Sequence, residues 1–396
     1  MIPRIRRVYI QNFRSIDRTV VDLEPLTVLV GPNGAGKSNF VAALEFVQRC
    51  VVEGPEQVLR YGAPTPRWQS TLLEPPCLGF RLEIDLTPDS SAIYSFLLQN
   101  DIPRSLVVRE YCSVLKNGVE VSGFEVAEGN FVREIAGIRP QLSIGRLALA
   151  AASAVPEFRP IYDLITEIFT YSIQPKDVVG VVGNVGPLET LAETGRNAPA
   201  VLRALQESSP EDHARIERLM ARAVEGITGV RTRVSEGWQT IEFTKNLGAD
   251  QPSLFLAHEM SNGTLRLLGL LLTVYQPRRP AVLIVEEPEA TVHPAIAELV
   301  MQVFLDASRR QQVILTTHSP DLLDAKELSD EQIRVVSQRQ GRTVIAPLGR
   351  ASRQAIRDRL YTPGELLRLS ELDDDAEGAL AAAAAYDPFA EIPAST

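Results

Sequence analysis

Gly31-Pro32-Asn33-Gly34-Ala35-Gly36-Lys37-Ser38 sets two glycines, a lysine and a hydroxyl at the spacing G-x-x-x-x-G-K-[ST]. Gly34 and Gly36 let the backbone bend closely, so successive N–H groups and a helix N-terminus can surround a β-phosphate. Lys37 would place compact positive charge on the β- and γ-phosphates, and the Ser38 hydroxyl suits Mg²⁺. A second group, Glu286-Glu287-Pro288-Glu289, offers Glu286 as the acid that holds the hydrated metal. Glu287 would polarise the attacking water as general base. His318, in Thr317-His318-Ser319-Pro320, can contact a γ-phosphate; His293, in Val292-His293-Pro294, reads as structural. Ser261-Asn262-Gly263-Thr264 precedes an apolar helix and makes a second anion site. That site would normally face away from its own phosphate loop and cap a nucleotide held by another copy. Each group has a plainer explanation: a chance glycine turn, a solvated acidic turn, an ordinary N-capped helix. The combination weighs against all three.

These groups need rigid elements beneath them. Residues 26–30 form a short apolar run that stops at a glycine, as a buried parallel strand does. Helical spacing follows at Phe40, Ala43, Leu44 and Val47. Runs 281–285 and 313–317 read as two more buried strands, ending at the carboxylates and at His318. Residues 5–13 read as an edge strand, followed by 19–23. Segments 79–86, 105–115 and 119–124 predict an antiparallel β subdomain, with Asn117-Gly118 as a type I′ hairpin tip. Residues 140–226 read as mainly helical, best marked by Ser209 as N-cap, Pro210, then Glu211 and Asp212 before the stripe Ile216, Leu219, Met220 and Val224. A hairpin is expected over 333–348 around Gln340-Gly341. The expected division is 1–135, an N-terminal lobe; 136–229, a helical insertion; 230–350, a C-terminal lobe; and 351–396, an extension with a mobile tail from about 373.

The chain has 396 residues, 45% apolar and 23% charged, ordinary values for a globular protein. Its net charge of −10 disfavours DNA coating by bulk field. Arg4, Arg6, Arg7, Arg14 and Arg18 form the densest basic strip, which a solvated strand face explains at least as well as a DNA contact. No run reaches the roughly 18–20 apolar residues of a membrane span, and no signal peptide is read at the start. Cys50, Cys77 and Cys112 show no CxxC spacing, so reduced thiols and a cytoplasmic location are expected.

Together these residues resemble the ABC-type ATPase heads of the RecF/SMC group, and they are similar to compact bacterial predicted AAA ATPases related to the ATPase half of OLD-family proteins. The likeness rests on Asn12-Phe13-Arg14-Ser15-Ile16, the phosphate loop, Ser261-Asn262-Gly263-Thr264-Leu265-Arg266, Glu286-Glu287-Pro288-Glu289 with His293-Pro294, and Thr317 to Leu323. Residues 191–205, with Gly195-Arg196-Asn197, add to it. It implies an α/β P-loop NTPase of ABC/SMC-head type, a mixed central sheet with an antiparallel β subdomain and a helical insertion. It implies ATP and Mg²⁺ as cofactors, with nucleotide contacts from Asn33, Gly34, Ala35, Gly36, Lys37, Ser38, Asn39 and Arg14, and from Ser261 and Gly263 of a second copy. Catalysis would fall to Glu287, His318 and Lys37, and the metal to Ser38, Glu286 and Gln174. Arg60 would lie near the nucleotide. The partner is a second copy across ATP, in a dimer or a larger assembly, with no membrane involved. Asn262 and Ala290-Thr291-Val292 depart from the group's pattern, and the chain has neither a CxxC hook nor an arm. Asp373-Asp374-Asp375 reads as solvated charge, so no nuclease domain is expected here. The implied role is a switch in DNA repair or anti-phage defence acting through a separate effector such as a nuclease. A nucleotide-gated scaffold or inhibitor with incidental turnover is the competing reading.

Overall fold

The computed structural model describes residues 2–61, 77–101, 104–133, 145–180, 182–183, 186–235, 237–248, 251–291 and 293–389. The expected boundary at 135/136 lies outside them. The first strands are β1 (Arg4–Phe13), β2 (Ile16–Asp22) and β3 (Leu26–Val30). A meander follows: β4 (Cys77–Thr87), β5 (Ser90–Asp101), β6 (Arg104–Lys116), β7 (Val119–Ala127) and β8 (Asn130–Arg133). Next come β9 (Ile168–Tyr171), β10 (Val182–Gly183), β11 (Ile227–Ser235), β12 (Trp238–Lys245) and β13 (Ser253–Leu256). The last four are β14 (Val282–Glu286), β15 (Gln312–Thr317), β16 (Ile333–Arg339) and β17 (Arg342–Pro347).

A six-stranded sheet in the order β17-β16-β3-β15-β14-β9 carries the candidate residues at its strand ends, and every pair except β16–β17 is parallel. Its central strands are the uninterrupted apolar runs, and all five residues of β3 are buried. Register decides what meets at the carboxyl end. Thr317 pairs with Val30 and Glu286 with Thr316, so the chain leaves β3, β14 and β15 at one level. The segment expected to be helical also supplies β9, whose Tyr171 pairs with Val285. Four β-branched and aromatic residues, Ile168-Phe169-Thr170-Tyr171, are too few for periodicity to reveal.

The antiparallel sheet runs β2-β1-β4-β5-β6-β7-β8. β1, expected at an edge, lies between β2 and β4, and β2 takes the edge. Asn117 and Gly118 turn with φ of 52° and 75°, as the hairpin signal predicted. The inner face packs on the helix Lys37–Glu53 through Phe13, Phe46, Phe80 and Phe96, with ring centroids 5.2–5.9 Å apart. Such pairs add about 0.5–1.5 kcal/mol beyond area burial. This packing fixes the helix that begins at Lys37. A smaller sheet of β10 to β13 precedes the Ser261 segment.

Glu110 on β6 joins this sheet to the short helix Ala148–Ala152. Its buried carboxylate accepts from the N–H groups of Ala148 (2.5 Å) and Leu149 (2.9 Å) and from the Tyr94 hydroxyl (2.9 Å). Burial raises its pKa from 4.5 to about 7, against the pull of those three donors. A folded-state value above the unfolded one gives stability that is present below about 4.5 and lost as pH rises through about 7. Glu110→Gln removes the charge and, like the protonated acid, keeps one oxygen that accepts and one end that donates. It should match wild type at pH 4.5 and gain up to about 3 kcal/mol at pH 8, measured by urea unfolding at the two pH values.

The segment from about 373, expected to be a mobile tail, makes contacts with the rest of the chain as far as Phe389. Asp373 accepts from the Ser352 N–H (2.9 Å), and Asp374 from Ser337 (2.7 Å) and Arg339 (2.8 Å). Asp375 caps the helix Ala376–Ala385. Tyr386 stacks on Tyr9 at 5.2 Å, with Arg81 on its ring, and Phe389 lies under Arg109 at 4.3 Å. Within the acidic cluster, Asp374 is satisfied by donors far away in sequence, while Asp373 and Asp375 stay exposed.

Candidate functional site

The phosphate loop leaves β3 and enters its helix with Gly34 at φ 80° and Gly36 at φ 112°, both in the left-handed region that glycine adopts freely. A Cβ on Gly36 would lie 2.0 Å from Thr343 Oγ1, so space as well as conformation demands glycine there. Asn33, Gly34 and Ser38 are exposed at the mouth, and Ala35 is buried beneath it. Lys37 is buried, and its Nζ donates to the carbonyls of Gly31 (2.6 Å) and Pro32 (3.1 Å). Burial lowers its pKa, while Glu287, Glu289 and Glu286 pull it back up. The lysine thus faces three carboxylates from a strand end far along the chain.

Ser38 Oγ donates to Glu286 Oε1 at 2.7 Å, joining the phosphate-loop helix to the end of β14. A hydroxyl beside a carboxylate fits Mg²⁺, whose remaining places go to water and phosphate oxygens. Gln174 follows β9 at the same end of the sheet. Its hydrogen bonds stay within its own region, from N to Thr194 O (3.0 Å) and from Nε2 to Ser172 Oγ (3.5 Å). Glu287 comes next after Glu286 with φ 44°, a conformation unusual for a non-glycine residue. Its N–H donates to Thr316 O at 3.0 Å, and its carboxylate lies 3.5 Å from His318 Nδ1. Glu287 and His318 are 41% and 45% exposed, open enough to meet a substrate.

Two further residues shape this corner and have no role in the sequence reading. Glu289 accepts from Thr317 Oγ1 (2.6 Å) and from the His318 N–H (3.1 Å), which sets the backbone that presents the histidine. Arg266, in the helix Asn262–Tyr275, is 4% exposed and donates to the Ile173 carbonyl and, at 2.6 Å, to the Glu287 carbonyl. Burial lowers its pKa against the attraction of Glu289 and Glu287. The sequence did hold a signal: Arg266 is the one charged residue of an otherwise apolar and neutral helix.

Ser261 is the exposed N-cap of that helix and accepts from the Thr264 N–H at 3.2 Å. A Cβ on Gly263 would stand 3.0 Å from the Thr291 carbonyl, so this segment lies against the loop after the carboxylates. Its hydrogen bonds do not reach its own phosphate loop. Arg14 approaches the first turn of the phosphate-loop helix, 3.4 Å from Asn39 Oδ1. His293 caps the helix Pro294–Ala307, accepting from the Ala295 N–H at 3.2 Å. Arg60 pairs with Glu56 one turn away in its own helix.

Comparison with known proteins falls on both halves of this arrangement. Residues 4–50 match a family described as AAA ATPase domain, and residues 192–324 match one described as AAA domain, putative AbiEii toxin, Type IV TA system. The first holds the phosphate loop; the second holds Ser261, Arg266, Glu286, Glu287 and His318. Among solved structures, the fold is similar to the Smc head domain with an extended coiled coil bound to the C-terminal domain of ScpA, from Pyrococcus furiosus. That chain is 13% identical at a TM-score of 0.53, over 91% of this chain and 100% of that one. An SmcHead bound to the C-winged helix domain of ScpA matches at 15% identity and a TM-score of 0.49, over 89% and 99%.

Proposed function

We propose that this chain, which carries ABC-type ATPase domains on the fold of an SMC head, binds ATP with Mg²⁺ between two copies and hydrolyses it as a conformational switch. The observation that carries the reading is the 2.7 Å contact of Ser38 with Glu286, which brings the two halves of a phosphate and metal site together beside Glu287 and His318. Lys37 and the loop N–H groups hold the phosphates, and Ser38 and Glu286, with Gln174, hold the metal. Mg²⁺ supplies charge neutralisation on the β- and γ-oxygens. Glu287 takes the proton of the attacking water. His318, on a backbone fixed by Glu289, contacts the γ-phosphate. Ser261 and Gly263 present a helix N-terminus that no part of the same copy's loop engages, so they close the site of a second copy.

The switch serves DNA repair or defence against phage and acts through a separate effector such as a nuclease. A family match described by a putative AbiEii toxin of a type IV TA system supports the defence side of that reading. The composite site has a direct test. Lys37→Ala disables one half and Ser261→Arg the other, so each variant alone should lose about 100-fold in turnover. An equimolar mixture should regain about a quarter of wild-type activity, because random pairing makes half the dimers mixed and each mixed pair has one competent site of two. Two inactive variants that stay inactive when mixed would exclude the shared site.

A further inference from the structure

The β16–β17 hairpin stands behind the phosphate loop. β16 runs parallel to β3 with Val335 opposite Val30, so its later residues continue past the strand end where the loop begins. Gln338 there pairs with Thr343 on β17. Two glycines measure how closely the hairpin presses. A Cβ on Gly31 would lie 2.1 Å from the Val336 carbonyl oxygen, and one on Gly36 2.0 Å from Thr343 Oγ1. The hairpin thus backs the loop at both of its ends.

Thr343 is 3% exposed and takes part in a chain of hydrogen bonds whose direction is fixed at both ends. The Ala35 carbonyl can only accept, so Thr343 Oγ1 gives it its single hydrogen, at 3.0 Å. Ser15 Oγ, 2.6 Å from Thr343 Oγ1, is then the donor of that pair. At the other end the Arg14 guanidinium can only donate, so the Asn39 atom 3.4 Å from it is Oδ1. Asn39 Nδ2 therefore donates to Ser15 Oγ, at 2.5 Å. The order is Arg14 to Asn39 to Ser15 to Thr343 to Ala35, and each bond polarises the next. A backbone bond from Thr343 N to Ser15 O (2.8 Å) keeps the two hydroxyl residues together.

A trans peptide points its carbonyl and its N–H in opposite directions. With the Ala35 carbonyl drawn to Thr343, the Gly36 N–H of the same peptide points away from the hairpin. Among the described residues no backbone carbonyl accepts from it. A flipped 35–36 peptide would present a carbonyl oxygen to the phosphate instead, and glycine at 36 leaves that flip open. We propose that Thr343 is a positioning residue for the nucleotide: its hydroxyl holds the 35–36 peptide so that the Gly36 N–H faces the β-phosphate. The inference rests on the phosphate loop being a nucleotide site, and it adds to that site a residue 308 positions along the chain from Ala35.

The test is equilibrium binding of ATP and ADP with Mg²⁺, together with kcat and KM for ATP, on wild type, Thr343→Val, Thr343→Ser and Lys37→Ala. Thr343→Val keeps the shape of the side chain and deletes the hydroxyl. It should weaken ATP and ADP alike by about 5–20-fold and leave kcat within about threefold. Thr343→Ser restores the hydroxyl and should return affinity to within about threefold of wild type. A packing role alone would lower the Tm of Thr343→Val without moving the affinity of its folded fraction. Folded Thr343→Val that binds ATP as wild type does, or Thr343→Ser that binds no better than Thr343→Val, overturns the assignment and leaves the phosphate loop standing. Should Thr343→Val not fold, Ser15→Ala decides. It strips Thr343 of its donor and should weaken ATP by about two- to fivefold, and unchanged binding overturns the proposal. Wild type that fails to bind either nucleotide overturns both this inference and the reading beneath it.

Discussion

Glu287→Gln should lower ATP turnover by about 10²–10⁴-fold while ATP still binds. The substitution keeps the shape of the side chain and removes its ability to take a proton. Glu287 is 41% exposed at a strand end, so the change should alter folding stability by no more than about 0.5 kcal/mol. In the proposed site the phosphates rest on Lys37, Ser38 and the loop backbone, none of which the substitution changes. The backbone at Glu287 is held independently by the Thr316 and Arg266 contacts, so the amide should occupy the same place. Steady-state phosphate release and equilibrium ATP binding, measured on one preparation, separate the two effects. Turnover within threefold of wild type would mean that another group activates the water.

Arg266→Met should give the second largest effect. The guanidinium ties the Ser261 helix to the carbonyl before Gln174 and to the carbonyl of Glu287. Methionine fills much of the volume but removes the guanidinium from the Ile173 carbonyl and leaves the Glu287 carbonyl with the Ala290 N–H alone, which costs about 1–3 kcal/mol of stability. Turnover per folded molecule should fall about 10–100-fold, because Glu287 holds φ 44° only while its neighbours over-determine it. Arg266→Lys should not restore it: a single ammonium cannot span both carbonyls as the planar fork does. Thermal unfolding, with kcat and KM on the folded fraction, distinguishes a positioning role from plain destabilisation. A lower Tm with unchanged kcat would reduce Arg266 to a packing residue.

Local chemistry was legible in the sequence and distant partnership was not. Leu26 to Val30, the glycines of the loop and the Asn117-Gly118 tip could be read because one strand, one turn or one motif specifies each. The antiparallel sheet was partly legible, but β1 was placed at an edge because nothing local to residues 5–13 shows that β4 pairs with its far side. β9 was hidden by its four-residue length. Asp374 looked solvated because Ser337 and Arg339, which satisfy it, approach only in the folded chain. Glu289 and Arg266 stood in view within recognised motifs. What they do depends on the Thr317, Ile173 and Glu287 groups beside them, and only the fold supplies that.

The claim that ATP joins two copies is tested most directly by the mass of the Glu287→Gln protein in solution, measured by sedimentation with Mg²⁺, with and without ATP. Blocked hydrolysis should preserve the joined state, so the account predicts a shift to at least twice the nucleotide-free mass, abolished by adding Ser261→Arg. An unchanged mass at saturating ATP would contradict it.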